Sequence, residues 1–257
     1  MKGRDKMIHS FLLIGQSNMA GRGYINEVEP INNPRIKVLR NGRWQDMFVP
    51  VNPDRPFSGI NLAESFCDEY SKEHDTDVGI IPCADGGTAL SQWAEGSLLF
   101  DNAVYQCTLA QRTSAVAGIL WHQGEGDCSD ELYPLYFDKF TKLITAMRVR
   151  LGLENTPLLI GGLGDFLAQY TLSEKLRNNY GEVNSALQKS AQSLRNAAFV
   201  SAEGLTSNPD MLHFNAASLR EFGVRYYSEF QKLEKTSGIV LSAPKETDDV
   251  RSQMEQL

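Results

Sequence analysis

The sequence predicts an α/β protein built on a parallel sheet covered by helices on both faces. Two observations carry this. Short apolar runs alternate along the chain with longer segments of helical period, the order that strands joined by crossover helices produce. The runs are apolar throughout and not alternately apolar and polar, as strands buried on both faces are. A third observation places the chemistry. Three of the runs end abruptly in polar, glycine-rich stops: Gly15-Gln16-Ser17, Asp85-Gly86-Gly87 and His122-Gln123-Gly124-Glu125. In a parallel sheet these ends point the same way, and ligand sites lie just outside them.

Taken in order, residues 10–14 read as the first strand, and Gly15 lets the chain turn tightly as it leaves the sheet. Residues 21–33 read as an irregular loop, and residues 34–39, entered through Pro34, as a second strand. Asn41-Gly42 is a turn signal. Residues 44–58 are rich in proline and short of helical period. Residues 60–74 carry an apolar stripe of Ile60, Ala63, Phe66, Cys67 and Tyr70 at helical spacing. A strand at 78–84 follows, then a helix at 101–116 and a strand at 117–121. Beyond these lie a long helix at 132–151, a strand at 157–163, a helix at 183–194 and a strand at 197–202. A polar loop at 210–215 leads into a final helix at 216–233. The tail from about 245 is charged and is expected to fray. There is no internal repeat and no linker, so one domain over 1–257 is expected.

Composition narrows the class. A chain of 257 residues with 42% hydrophobic content can bury a sizeable core in one domain. The net charge of −7, with both signs interspersed, argues against the basic face that a nucleic-acid partner requires. Cys67, Cys83, Cys107 and Cys128 lie far apart with no CxxC. They form neither a disulfide framework nor a zinc signature and read as buried thiols. The apolar stretch near the start is too short for a membrane span, and no small-residue cleavage site follows it. A cytoplasmic location is expected, with no membrane partner.

Ser17 stands just past the end of the first strand, and it has two readings. It is placed as a nucleophile, and serine is also a favoured helix N-cap. Other motifs fail on this stretch. A phosphate loop would need Gly15 and Gly21 one residue closer and Lys in place of Arg22, and a dinucleotide fingerprint would need glycine at Ser17. The nucleophile elbow would need glycine at Met19.

Acyl transfer requires a hydroxyl, an imidazole, a carboxylate to orient the imidazole, and donors for the oxyanion. The chain has four histidines. His9 precedes the first strand, at the wrong end of the sheet, and His74 lies in a charged stretch at a helix end. His122 and His213 remain. His122 reads best as a packing residue beside Trp121. His213 has Asp210 three residues before it in one loop, a spacing that lets a carboxylate reach Nδ1 while Nε2 faces a hydroxyl. The same loop also reads as an Asp cap beside Pro209 followed by a surface histidine.

Taken together, the run from Gly15 to Gly21, then Gly86-Gly87-Thr88 with Trp93, then Trp121-His122-Gln123-Gly124-Glu125, then Asp210-Met211-Leu212-His213-Phe214 resemble the blocks of the SGNH hydrolase superfamily. The resemblance is closer to its sialate O-acetylesterase-like branch, which includes acetyl xylan esterases of carbohydrate esterase family 6. It covers residues 15–213. It implies a flavodoxin-like three-layer α/β/α sandwich with about five parallel strands. It also implies a serine esterase that removes O-acetyl groups from acetylated carbohydrates, with no cofactor and no metal. In that pattern Ser17 would be the nucleophile, His213 the base and Asp210 its orienting acid. The backbone N–H groups of Ser17 and Gly87, with the Gln123 side-chain amide, would form the oxyanion hole. The superfamily usually offers Asn where this chain has Gln123. Glu125 would hold its loop or contact His213, and it ranks behind Asp210 as the orienting acid. Trp93, Trp121 and Tyr24 are candidates for stacking a sugar ring or for core packing. The competing functions are a catalytically silent carbohydrate- or partner-binding module and a flavodoxin-like nucleotide binder. The missing phosphate loop disfavours the second.

Overall fold

The computed structural model describes residues 7–237 and Leu241; the tail expected to fray lies outside them. Its centre is a seven-stranded sheet. The strands are β1 (Ile8–Gly15), β2 (Ile36–Arg40), β3 (Arg43–Asp46), β4 (Val78–Pro82), β5 (Ser114–His122), β6 (Leu158–Gly161) and β7 (Ala197–Val200). Their spatial order is β3-β2-β4-β1-β5-β6-β7. Six run parallel and match the six apolar runs, while β3 pairs antiparallel with β2. The resemblance implied about five parallel strands; the described sheet has these six and an antiparallel edge. The edge arises because Asn41 (φ 51°) and Gly42 (φ 74°) both take the left-handed conformation that a tight hairpin needs. β3 was missed from sequence because an edge strand needs little burial: Arg43 and Asp46 are exposed, and no apolar run marks it.

Helices cover the sheet: a single turn α1 (Ser17–Ala20), then α2 (Leu62–His74), α3 (Leu98–Ala110), α4 (Tyr136–Leu151), α5 (Glu174–Ser193) and α6 (Ala216–Ser237). Helix α2 packs on α6, while α3 packs on α4 and α4 on α5. Phe11 of β1 enters the α2–α6 layer edge-on to Phe66, Tyr70 and Phe230. Trp121 of β5 meets Phe140 of α4. Capping residues set the helix starts. Asn61 accepts from the Ala63 amide at 2.6 Å while Glu64 accepts from the Asn61 amide at 2.9 Å, a reciprocal cap for α2. Ser173 accepts from the Leu176 amide and starts α5 nine residues before the expected position 183. The apolar stripe missed that first stretch because it is mostly polar.

The helix expected at 101–116 ends at Ala110, and Ser114–Val116 belong to β5. The Ser114 hydroxyl donates to the Ala110 carbonyl and lies 2.8 Å from the Ser10 hydroxyl of β1, which ties the strand's start to its neighbour. All nine residues of β5 are buried. The four cysteines are buried as thiols. Among the described residues, no helix is long and apolar enough to cross a membrane.

Strands β4, β1 and β5 are adjacent, so the three glycine-rich stops meet at one edge of the sheet. The Gln16 amide donates to the His122 carbonyl at 2.9 Å and the Asp85 amide to the Gly15 carbonyl at 3.0 Å. The Gln16 side-chain oxygen accepts from the amides of Gly124 and Gly126.

Candidate active site

The first stop sets Ser17 just beyond the end of β1. Gly15 has φ +133°, and a Cβ there would lie 2.1 Å from the His122 carbonyl oxygen. Only glycine fits. The chain then closes the single turn α1, whose N-cap is Gln16, not Ser17. The capping reading of Ser17 therefore fails, because the cap lies one residue earlier and leaves the serine hydroxyl free of that duty.

The Ser17 hydroxyl lies 3.0 Å from His213 Nε2, and His213 Nδ1 lies 2.7 Å from Asp210 Oδ2. The other Asp210 oxygen accepts from the backbone amides of Leu212 (2.9 Å) and His213 (3.0 Å). A carboxylate only accepts, so Nδ1 carries the proton and Nε2 is left to accept from Ser17. The turn that brings Asp210 and His213 together passes through Met211 at φ 52°, left-handed for a residue with a Cβ. Burial raises the Asp210 pKa, but the hydrogen bonds from His213 and Leu212 outweigh it and hold the carboxyl below its ordinary value. A hydroxyl, imidazole and carboxylate in line can generate a serine nucleophile at neutral pH.

Asn18, next to Ser17, grips both neighbours of His213. Its Nδ2 donates to the Leu212 carbonyl at 3.2 Å, and its Oδ1 accepts from the Phe214 amide at 3.0 Å. Glu125 fixes the orientation of that amide by accepting from the same Nδ2 at 2.6 Å. Of the two roles open to Glu125, the structure gives it the first: it holds the loops together, and the carboxylate against His213 is that of Asp210. His122 is wholly buried, donates from Nε2 to the Gly162 carbonyl and packs edge-on to Phe214 and Phe222. Burial pushes its pKa down. The packing reading of His122 holds.

The loop after β4 is braced by residues that the sequence did not single out. Asp54 accepts from the Gly86 amide at 2.8 Å and from Ser58 at 2.7 Å, and it pairs with both terminal nitrogens of Arg22 at 2.9 and 2.7 Å. The two charged side chains are 5% and 4% exposed. A Cβ added at Gly86 would lie 2.4 Å from Arg22 Nη2 and 3.3 Å from Ser17 Cβ, so the brace, the loop and the serine are in contact. Gly87, at φ +80°, has nothing within 4 Å of where a Cβ would stand and faces open space. Arg22 and Asp54 lie in loops flanked by glycine or proline, where a charge ordinarily reads as solvated.

Burial raises the Asp54 pKa, but Arg22, Ser58 and the Gly86 amide outweigh it and leave the carboxyl below its ordinary value. A carboxyl lowered in the folded state contributes stability that is fully present above its unfolded value, about 4, and is lost as pH falls through the folded one. Thermal unfolding is thus expected to shift to lower temperature below about pH 4, and less steeply in Asp54→Asn. At pH 7 the same variant leaves the buried Arg22 charge unpaired. It is expected to cost about 3–5 kcal/mol in denaturant unfolding; a cost below 1 kcal/mol would refute the brace.

One expectation is corrected, and two open readings close. The Gln123 amide is wholly buried, and its Nε2 donates to the Thr88 carbonyl at 3.1 Å and to Asp127 at 2.5 Å. Both of its N–H groups are thus used, so Gln123 is not free to meet an oxyanion. Its arm, longer than that of Asn, reaches Asp127, and it anchors the Thr88 loop instead. Trp93 and Trp121 are wholly buried and pack against each other, with the Trp93 N–H donating to the Thr88 hydroxyl. Neither can stack a sugar. Tyr24 is 53% exposed, and Phe57, which the sequence reading missed, is 69% exposed with the Arg22 guanidinium 5.3 Å from its ring centre. A cavity of about 500 Å³ opens beside the Gly86-Gly87 loop.

Comparison with known proteins identifies the family of the chain. The family model described as carbohydrate esterase, sialic acid-specific acetylesterase, matches residues 7–232. A probable carbohydrate esterase of Arabidopsis thaliana is 28% identical over 240 residues, covering 83% of this chain and 86% of its own. The solved structure of an Arabidopsis thaliana protein superimposes with a TM-score of 0.78 at 25% identity, covering 88% of this chain and 98% of that one. The structure of NanS superimposes with a TM-score of 0.70 at 17% identity, covering 90% of this chain and 98% of that one, a likeness of fold. With the family match spanning most of the chain and the solved structures sharing its layered α/β fold, the chain belongs to the sialic acid-specific acetylesterase family of carbohydrate esterases.

Proposed function

We propose that this chain is a serine esterase that removes O-acetyl groups from acetylated carbohydrates through an acetyl-enzyme. The observation that carries the reading is the line from Ser17 Oγ to His213 Nε2 at 3.0 Å and from His213 Nδ1 to Asp210 at 2.7 Å. His213 takes the Ser17 proton as the serine oxygen attacks the acetyl carbonyl carbon. The negative charge moves to the carbonyl oxygen, for which the backbone N–H groups of Ser17 and Gly87 are the proposed donors; the open space beside Gly87 supports this. Such a donor typically contributes about 3 kcal/mol. Collapse of the tetrahedral species breaks the bond to the sugar oxygen, which takes the proton from His213. Water, deprotonated by the same ring, then attacks acetyl-Ser17; acetate leaves as the Ser17 oxygen takes the proton back from His213. The charge that develops on His213 is balanced by Asp210, which already lies below its ordinary pKa.

The four buried thiols support the cytoplasmic setting expected from the sequence. The test is acetate release from acetylated mono- and oligosaccharides, combined with a fluorophosphonate probe. We expect release, and a covalent adduct at Ser17 and at no other serine. Labelling elsewhere with activity lost would move the nucleophile.

A further inference from the structure

The charged side chains that line the cavity beside the Gly86-Gly87 loop say what kind of sugar it takes. At about 500 Å³ it falls within the ~300–1,000 Å³ range of small-ligand sites. Among the described residues that line it, Arg55 carries the positive charge, Asp85 the negative one, and the rest are uncharged. The two side chains are 40% and 35% exposed, so both face the open space. Arg55 donates to Asp85 Oδ1 at 2.9 Å, to the Gly86 carbonyl at 2.9 Å and to the Asp54 carbonyl at 2.7 Å.

We infer that this pair selects an uncharged acetylated sugar and holds it by adjacent hydroxyl groups, an inference that rests on the esterase reading above. A sugar carboxylate entering here would meet an arginine whose charge is already balanced, and it would meet the Asp85 carboxylate beside it. The chain as a whole, at −7, supplies no field that draws an anion in. An uncharged diol fits the same pair well. One hydroxyl donates to the Asp85 carboxylate. Its neighbour accepts from the guanidinium, whose five N–H groups exceed the three that the bonds above use. The family description names sialic acid, whose carboxylate is the group this cavity is built to discourage.

The test compares two methyl pyranosides acetylated at the same hydroxyl, one carrying CH₂OH and the other a carboxylate at C6, with p-nitrophenyl acetate run beside them. The full chain is expected to favour the uncharged sugar in kcat/KM by about tenfold or more. Asp85→Asn keeps an oxygen for Arg55 and removes the negative charge. It is expected to narrow the ratio about tenfold by raising kcat/KM for the sugar acid, the worth of one charge at roughly 5 Å in a partly wet groove. The ratio within one variant cancels any damage common to both substrates. A wild-type preference for the sugar acid, or a ratio that Asp85→Asn does not move, overturns the inference while hydrolysis of p-nitrophenyl acetate leaves the esterase reading standing. No hydrolysis of any of the three esters defeats the esterase reading and this inference with it.

Discussion

Ser17→Ala is expected to lower kcat for acetate release by at least 10⁴-fold, with the fold intact. The hydroxyl donates to His213 at 3.0 Å, and α1 takes its N-cap from Gln16 rather than from Ser17. Its loss therefore removes the nucleophile without removing a helix cap. Alanine is smaller than serine and adds nothing to a residue already buried to 6% exposure. What remains is the oxyanion donors and substrate binding, and in a serine hydrolase these keep roughly 10³–10⁴ of the rate over water when the nucleophile is gone. The check is a turnover assay beside thermal unfolding. A Tm within about 2 °C of the wild type and a rate near background is the expected pair. A variant that keeps more than a few per cent of activity would show that another group attacks the ester.

Asp210→Asn carries the second large effect and separates two carboxylates with different tasks. The amide can present an N–H to His213 Nδ1 where the carboxylate accepted at 2.7 Å, which favours the tautomer with its proton on Nε2. That ring cannot take the Ser17 proton. A loss of about 10⁴ in kcat is expected, as for the same change in serine proteases. Glu125→Gln is expected to cost far less, roughly ten- to a hundredfold. Glu125 reaches His213 only through Asn18, by the 2.6 Å bond that sets the Asn18 amide and its grip on Leu212 and Phe214. Both losses are expected in kcat with KM little changed, because both groups act on the transition state. If Glu125→Gln proves the more damaging, the assignment of Asp210 fails.

What the sequence by itself determined is what local pattern controls. Continuous apolar runs made the parallel sheet, and Gly15 at the end of β1 made the turn that carries Ser17 past the sheet edge. The three-residue spacing between Asp210 and His213 allowed a pair, since one short loop closes that distance in the chain, but it left an Asp cap followed by a surface histidine open as well. The limits of the same reasoning show in β3, α5 and Ser114–Val116, where burial or capping, not apolar period, set the boundary. Only the tertiary structure decided how the shell around the site is wired. Arg22 meets Asp54, and Asp54 meets Gly86, across 32 residues each time. Asn18 reaches Phe214 across 196. Bonds of that span depend on where whole strands end relative to one another. A side-chain amide also has several ways to spend its donors, so Gln123 could be placed in the right loop from sequence while the capture of its amide by Asp127 could not. The same holds for Trp93 and Trp121: their ring types fit a sugar platform or a core equally well, and the packing of the two rings on each other, with Phe140 of α4 against Trp121, chose the core.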